Sequence, residues 1–522
     1  MKNIKIPAFG ETDFFENREN EHAVVFMIPN ADVEAFASYG KLLSEQGYTQ
    51  KEASETDTHL YAAYSNGADA CFLNYFSAVR ELYLVQEECS PYFSYTDTPM
   101  ETTATPQITQ MELADFGMSY VIRLSDGRFI VIDGGRDFEV DRERLYQHLC
   151  ANSVHERPII AAWILSHPHA DHFHLFVGFV DQYGEDVVIE KMLFLFPEAD
   201  DLAHYPSMEK SDRRFDYDNS ERTYIRKLFE CIERLGVPVY RPHTGQTYQI
   251  GDASCEILAC MDDTIHASTN VNAASLVIRM ELGGQTVLWA TDAPFSTVQL
   301  AEKQGERLKA DILQIPHHGF QSGSAEGEIS GYERILPRVC FLPVSDYNAY
   351  TTFCAHREGT RYLMTQAGID ELITGTPMRT IELPYTPAPY AKAEILRSYL
   401  AGQDNCGSKT WVFTGLSTSE PDDFVFTLLN STHIGATVWI ELFFEDRGQW
   451  VRHIKADISP LAMRQISIVG DRVDPDALEF NWLSLHTQGI PENARFSVRF
   501  LCSLPMIISH EHHPATYHSI NR

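Results

Sequence analysis

No stretch of this 522-residue chain approaches the roughly 18 consecutive apolar residues of a membrane span. Residues 1–15, MKNIKIPAFGETDFF, also lack the apolar segment of a secretory leader. A cytoplasmic protein without a membrane span is therefore expected. Basic residues are scarce: 41 Lys and Arg stand against 73 Asp and Glu, a formal net charge of −32. Such a surface repels nucleic acid and anionic membrane, so nucleic acid is disfavoured as a partner although a local basic groove would escape the argument. The ten cysteines form no CxxC pair and no dense framework, which points to reduced core thiols rather than disulfides. Hydrophobic residues make up 44% of the chain, enough for two to four domains with their own cores.

What the chain does contain is concentrated at Ser166-His167-Pro168-His169-Ala170-Asp171-His172-Phe173-His174, directly after the apolar run Ala161-Ala162-Trp163-Ile164-Leu165. The run is short and does not alternate, so it reads as a buried strand whose C-terminal end delivers the cluster to a loop. Strand ends are where α/β folds build sites. Neutral imidazole and carboxylate are ligands for zinc, manganese or iron, and His167, His169, Asp171 and His172 are dense enough for two neighbouring ions.

Two other strand ends bring donors of the same kind. Arg128 to Ile132 ends in Asp133-Gly134-Gly135, where glycine permits a sharp turn and Asp133 can accept a hydrogen bond from a ligand imidazole. A pair of strands around Gly283-Gly284 ends in Thr291-Asp292-Ala293, and Asp292 offers two oxygens to two ions. One helix later, Asp311 to Ile315 ends in Pro316-His317-His318-Gly319.

His167-Pro-His169-Ala-Asp171-His172 resembles the HxHxDH motif of the metallo-β-lactamase superfamily, and the Asp-Gly-Gly turn, the later Asp and the His-His-Gly end follow its order. Asn272 to His318 particularly resembles the hydrolase domain of ComEC-like DNA-uptake proteins and of choline-phosphate esterases. The resemblance covers roughly Gln107 to Pro384 and implies an αββα sandwich. It further implies that His167 and His169 bind one ion, Asp171, His172 and His317 the second, and Asp292 both. His317, nearer the strand, is taken as the ligand and His318 as a proton donor, an order that could be reversed. Asp171 and His318 are the catalytic candidates; Asp133, Asn272 and His266 are supporting ones. Two departures stand out. Phe173-His174-Leu175 replaces the family's glycine pair, and no histidine clearly completes the first ion's set.

The flanks carry no such chemistry. Residues 1–104 predict a helix (Asp32 to Gln46) on a meander sheet, followed by a Thr, Ser and Pro-rich linker; residues 105–395 form the hydrolase-like domain; residues 405–522, with short aromatic and β-branched runs, predict a β-sandwich. Pro197 to Asn219, with His204, Lys210, Arg213 and Arg214, reads as a lid or specificity loop, His243 as structural, and His510-Glu511-His512-His513 as a frayed tail. The whole predicts a metal-dependent hydrolase with two divalent ions, zinc foremost and manganese or iron as alternatives, acting on small anionic phosphate esters as a phosphodiesterase-like enzyme. Lactone, thioester or other acyl hydrolysis is one alternative. A non-catalytic metal-containing binding or assembly protein is another. The C-terminal domain is the candidate surface for a protein or glycan partner.

Overall fold

The computed structural model describes residues 15–19, 23–88, 93–101, 103–197, 202–203, 213–214, 218–264, 268, 270–321, 323–345, 348–349, 357–389, 391–392, 408–417, 422–431, 435–444, 451–460, 462–467, 482–484 and 495–514. The chain divides into two compact units, Met1–Asp346 with Glu358–Ala388, and Tyr347–Arg357 with Pro389–Arg522. Among the described residues no helix is long and apolar enough to cross a membrane.

Two sheets share the central core of the first unit. One runs in the order Val239–Tyr240, Met192–Leu193, Ile159–Ile164, Phe129–Asp133, Ser119–Arg123, Gln107–Gln110 and Arg379–Glu382, with Val188–Ile189 beside Ile159–Ile164. The other takes its seven strands in chain order, from Thr247–Ile250 to Glu371–Thr376. Ile130 and Ile132 meet Tyr248, Trp289 and Phe341 between the sheets, while Phe129 and Val131 meet Leu145, Phe173 and Phe176 of the helices outside. Burial on both faces is why FIVID and IIAAWI read as continuous apolar runs. Trp163 is fully buried, edge-on to Phe176 and Phe179 with centroids 4.9 and 5.3 Å away. Val188–Ile189 and Met192–Leu193 are two short strands, and the helix Ala170–Tyr183 begins inside the His/Asp cluster.

Among the described residues, the strands between Phe15 and Glu88 form a six-stranded antiparallel sheet with the helix Val33–Glu45. Two of its strands, Phe15–Glu19 and Thr49–Glu55, carry too little apolar alternation to be seen in sequence; TQKEASE is an exposed edge. The stretch read as a linker is bolted to the core. Tyr95 packs on Tyr240 and Tyr248, Asp97 N–H donates to Gln249 O at 2.8 Å, and the buried Arg128 guanidinium holds Asp97, Asp126 and Glu190.

The same sheet packs on the core through buried polar groups. His59 Nε2–H donates to Asn74 Oδ1 at 2.8 Å, Arg307 donates to His59 Nδ1 at 2.9 Å, and Phe76 stacks on the ring. Burial, reinforced by Arg307 and Lys303, lowers His59 from 6.5 to about 3. A depressed pKa contributes stability that is present above the unfolded value and lost as pH falls through the folded one. The wild type is therefore expected to lose stability between pH 6.5 and 3, with a shallower loss in His59→Gln. Thermal midpoints of both proteins across that range check it; identical slopes would refute the assignment.

The second unit corrects an expectation. Residues 405–522 were expected to form two packed sheets, but the strands form one near-closed, barrel-like sheet. It is antiparallel except where the short Trp482–Ser484 joins Ala462–Ser467. The physical cause is the 20-residue strand Arg495–Pro514, which pairs with Ser408–Ser417 and Ala436–Phe444 along one half and Asp422–Asn430 along the other. One sheet thus wraps a single core containing Phe426, Ile440, Phe496 and Phe500. His510 to His513, expected as a frayed tail, are the end of that strand, facing Phe426 to Asp423 in register.

Candidate metal centre

Four strand ends converge on the site. Phe129–Asp133 delivers Asp133, Ile159–Ile164 leads to Ser166 and His167, Gln285–Trp289 to Thr291 and Asp292, and Ile312–Gln314 to the 3-10 turn Pro316–Gly319. The helix Ala170–Tyr183 starts inside the motif, so Asp171 and His172 lie in its first turn, where the helix dipole favours a carboxylate. Asp133, Thr291, His317 and His318 all have left-handed backbone, with φ of 56, 49, 49 and 52°. Such conformations cost of order 1–3 kcal/mol each for non-glycine residues and concentrate where a site is over-determined by its surroundings. Gly117 permits the closest approach: a Cβ there would meet the Asp171 carbonyl at 2.8 Å, the same oxygen that accepts from Met118 N–H at 3.0 Å.

Asp133 organises the imidazoles from behind. Its Oδ1 accepts from Ser166 N–H at 2.7 Å, and its Oδ2 accepts from Ser166 Oγ–H and from His172 Nδ1–H, each at 2.7 Å. Because the Ser166 hydroxyl proton is given to Asp133, its oxygen accepts from His167 Nδ1–H at 3.1 Å. Both neutral rings then turn an Nε2 lone pair inward, the tautomer a metal-ligating histidine needs.

Those lone pairs meet at Asp292. Its Oδ2 lies 3.2 Å from His172 Nε2, 3.7 Å from His167 Nε2, 3.7 Å from His318 Nε2 and 3.9 Å from His317 Nε2. His167, His169 and Asp292 form one group with metal-ligand spacing; Asp171, His172 and His318 form a second. Imidazole nitrogens face one another, His167 Nε2 to His169 Nδ1 at 3.0 Å and His172 Nε2 to His318 Nε2 at 3.2 Å. Asp292 Oδ1, Asn272 Oδ1 and His318 Nδ1 are buried without a hydrogen-bond partner. Opposed lone pairs and orphaned carboxylate and amide oxygens are costly unless a cation sits among them, so the donor set fits divalent ions. The electrostatics agree. Burial would lower His172, but the Asp292 and Asp133 carboxylates outweigh it and hold the ring well above its ordinary value, a proton standing in for a cation. Burial would raise Asp171, but the hydrogen bond from His318 and the charge of His172 hold it well below the usual carboxylate range.

The structure exchanges the two final histidines. His317 was taken as the second group's ligand; instead His318 Nε2 reaches Asp171 Oδ2 at 3.3 Å and is 3% exposed, while His317 is 26% exposed and its Nε2 lies 3.2 Å from Asn272 Nδ2. His317 and His318 both have left-handed backbone, so the strand's alternation does not carry through the turn and nearness to the strand did not decide depth. Asn272, a candidate for the place of the missing third histidine, is buried with its Nδ2 beside His317 Nε2. His266, His204 and Lys210 lie outside the described residues. Arg279 neighbours Ile278 and Met280, which face the core; it points outward and pairs with Glu281 at 2.6 Å. His174 also points elsewhere, stacked on Tyr224 at 3.7 Å. Gln314 was not foreseen. Fully buried, it accepts from Thr291 N–H at 2.5 Å and donates to Thr291 O and Ile315 O, clamping the turn that aims Asp292. A lone Gln at a strand end carries no sequence signal.

Two sheets around one core, helices outside and a His/Asp cluster at the strand ends define a mixed α/β core of the metallo-β-lactamase type. The family model of the Metallo-beta-lactamase superfamily matches residues 114–254, and that stretch is a domain of the superfamily. The match takes in Asp133 and the His167–His172 motif; Asp292 and His318 lie beyond it and join the cluster only in space. Among solved structures, a beta-lactamase domain protein from Burkholderia ambifaria is 12% identical over 60% of this chain and 76% of its own, with a TM-score of 0.25. The flavodiiron protein from Giardia intestinalis is 12% identical over 61% and 62%, at 0.24. The Anabaena sensory rhodopsin transducer is 15% identical over 22% of this chain and 92% of its own, at 0.16. Scores this low do not establish a shared fold. No curated protein matches the chain.

Proposed function

We propose that this protein is a metal-dependent hydrolase in which His167, His169 and Asp292, and Asp171, His172 and His318, would hold two divalent ions. The observation that carries this reading is the single Asp292 oxygen within 3.9 Å of four imidazole nitrogens. Divalent ions bound there would supply a nucleophile from water at neutral pH and neutralise charge in the transition state. The chain's own residues do the rest. Asp133 and Ser166 fix the tautomers of His172 and His167, and Gln314 fixes Asp292. Asp171, held ionised and partly open to solvent, would help to hold the second ion and is placed to orient a water molecule as a hydrogen-bond acceptor.

Phosphate esters are the preferred substrate class, with zinc the preferred metal and manganese or iron the alternatives. The support is the Asn272-to-His318 pattern of the ComEC-like and choline-phosphate esterase branch, together with Asn272 at the site. A second reading, hydrolysis of lactones, thioesters or other acyl groups, is favoured by the aromatic rim. Phe116 is edge-on to His318 at 6.3 Å and Phe320 lies 5.6 Å from His317.

Protein purified without chelator should contain at least two ions per chain by plasma emission spectrometry and hydrolyse bis-p-nitrophenyl phosphate. Chelation should abolish turnover and metal addition restore it. Turnover confined to p-nitrophenyl acetate or a thioester would transfer the assignment to the acyl class. About one ion or none, without turnover after reconstitution, would leave the binding-protein alternative.

A further inference from the structure

A second set of ligand-type side chains lies at the seam between the N-terminal sheet and the core. His243 follows the strand Val239–Tyr240, Cys260 ends the strand Ala253–Ala259, and Asp262 sits in the next 3-10 turn, Met261–Asp263. All three are buried, with His243 Nδ1 2.7 Å from Asp262 Oδ2 and Cys260 Sγ 3.6 Å from the same oxygen. None belongs to the catalytic cluster, and neither catalytic group contains a cysteine.

We propose that His243 Nδ1, Cys260 Sγ and Asp262 Oδ2 form a third, structural metal site for a zinc-class divalent ion, oriented from across the seam by Glu87. Mixed imidazole, thiolate and carboxylate donors suit such an ion, and burial suits a structural rather than a catalytic one. The other face of the His243 ring has the outer contact that metal-ligating histidines recurrently make. Nε2–H donates to the Glu87 carboxylate at 3.2 Å, which leaves Nδ1 as the ligand atom. Phe72 of the N-terminal sheet stacks on the ring at 4.0 Å and fixes its plane. Asp263 Oδ1 is buried in the same pocket without a hydrogen-bond partner, while its Oδ2 bonds Thr244 and the Cys260 N–H.

Metal binding would release the His243 Nδ1 proton and the Cys260 thiol proton, and the Asp262 and Glu87 carboxylates on either side of the ring supply the negative charge a divalent cation needs. The surrounding charges, Arg241 near Glu87 at 3.6 Å and Lys303 on Asp263 O at 3.1 Å, need not rearrange.

Cobalt(II) loaded into the chelated full chain reads this site by itself, because a thiolate ligand adds a sulfur-to-cobalt charge-transfer band in the near ultraviolet. The band is expected in the wild type, retained in the His167→Ala/His169→Ala double variant that disables the first catalytic group, and absent in Cys260→Ser. Glu87→Gln is expected to keep the band at saturation with cobalt affinity lowered roughly 10- to 100-fold. A folded wild type without the band, or a band that survives Cys260→Ser, overturns the proposal. Loss of the band in the double variant does so as well, since it would assign the thiolate to the catalytic centre. Failure of the hydrolase assignment would leave the band in place, so the two readings fail separately.

Discussion

Asp292→Asn is expected to lower kcat/KM on the order of 10³-fold, about 4 kcal/mol of transition-state stabilisation, and to drop bound metal below the wild-type content. The substitution keeps volume and shape and removes only charge and one acceptor oxygen. Four imidazole nitrogens lie within 3.9 Å of Asp292 Oδ2, and Oδ1 is buried without a partner, so no other side chain can take over the shared position. Steady-state kinetics with plasma emission spectrometry on the same preparation measures both effects. A variant that retains the wild-type metal content and turnover would remove Asp292 from the centre and with it the dinuclear arrangement.

Asp133→Ala is expected to produce the largest loss of stability, about 3–5 kcal/mol in the chelated protein. Three buried donors, Ser166 N–H, Ser166 Oγ–H and His172 Nδ1–H, would lose their acceptor at once, and no water-exposed position is available to them. Asp133→Asn separates packing from tautomer control. It restores an oxygen acceptor but turns an NH2 group toward the Ser166 hydroxyl or His172, so stability should partly recover while metal affinity stays roughly 10- to 100-fold down. The thermal midpoint after chelation and a competition titration with a chromophoric chelator read the two quantities. Equal midpoints for Asp133→Ala and the wild type would show that the network contributes nothing to the fold.

The site was legible where its chemistry is local. His167 to His172 are adjacent in the chain, and an apolar strand with a glycine turn announces Asp133. Asp292 was legible through the family resemblance, because a strand end followed by a carboxylate is a weak signal by itself. The order of His317 and His318 was not, because two consecutive left-handed residues break the alternation by which strand residues are assigned to faces. Gln314 was invisible because its role is to bond backbone atoms of a different strand end.

Composition, apolar periodicity and backbone propensity by themselves determined the buried strands, the helices outside them and the all-β character of the described C-terminal strands, while the family resemblance supplied the expectation that Asp292 joins the His167–His172 motif. The strands and helices follow from short-range burial patterns and backbone propensity, which a local window contains. Only the tertiary structure decided that Tyr95 and Asp97 are anchored rather than free, and that Arg495–Pro514 joins two expected sheets into one curled sheet. It alone placed His243, Cys260 and Asp262 together with Glu87, 156 residues from His243. The energy of such contacts depends on which surfaces meet in space, and neither hydrophobic period nor turn chemistry records the partner of an edge strand or of a buried charge.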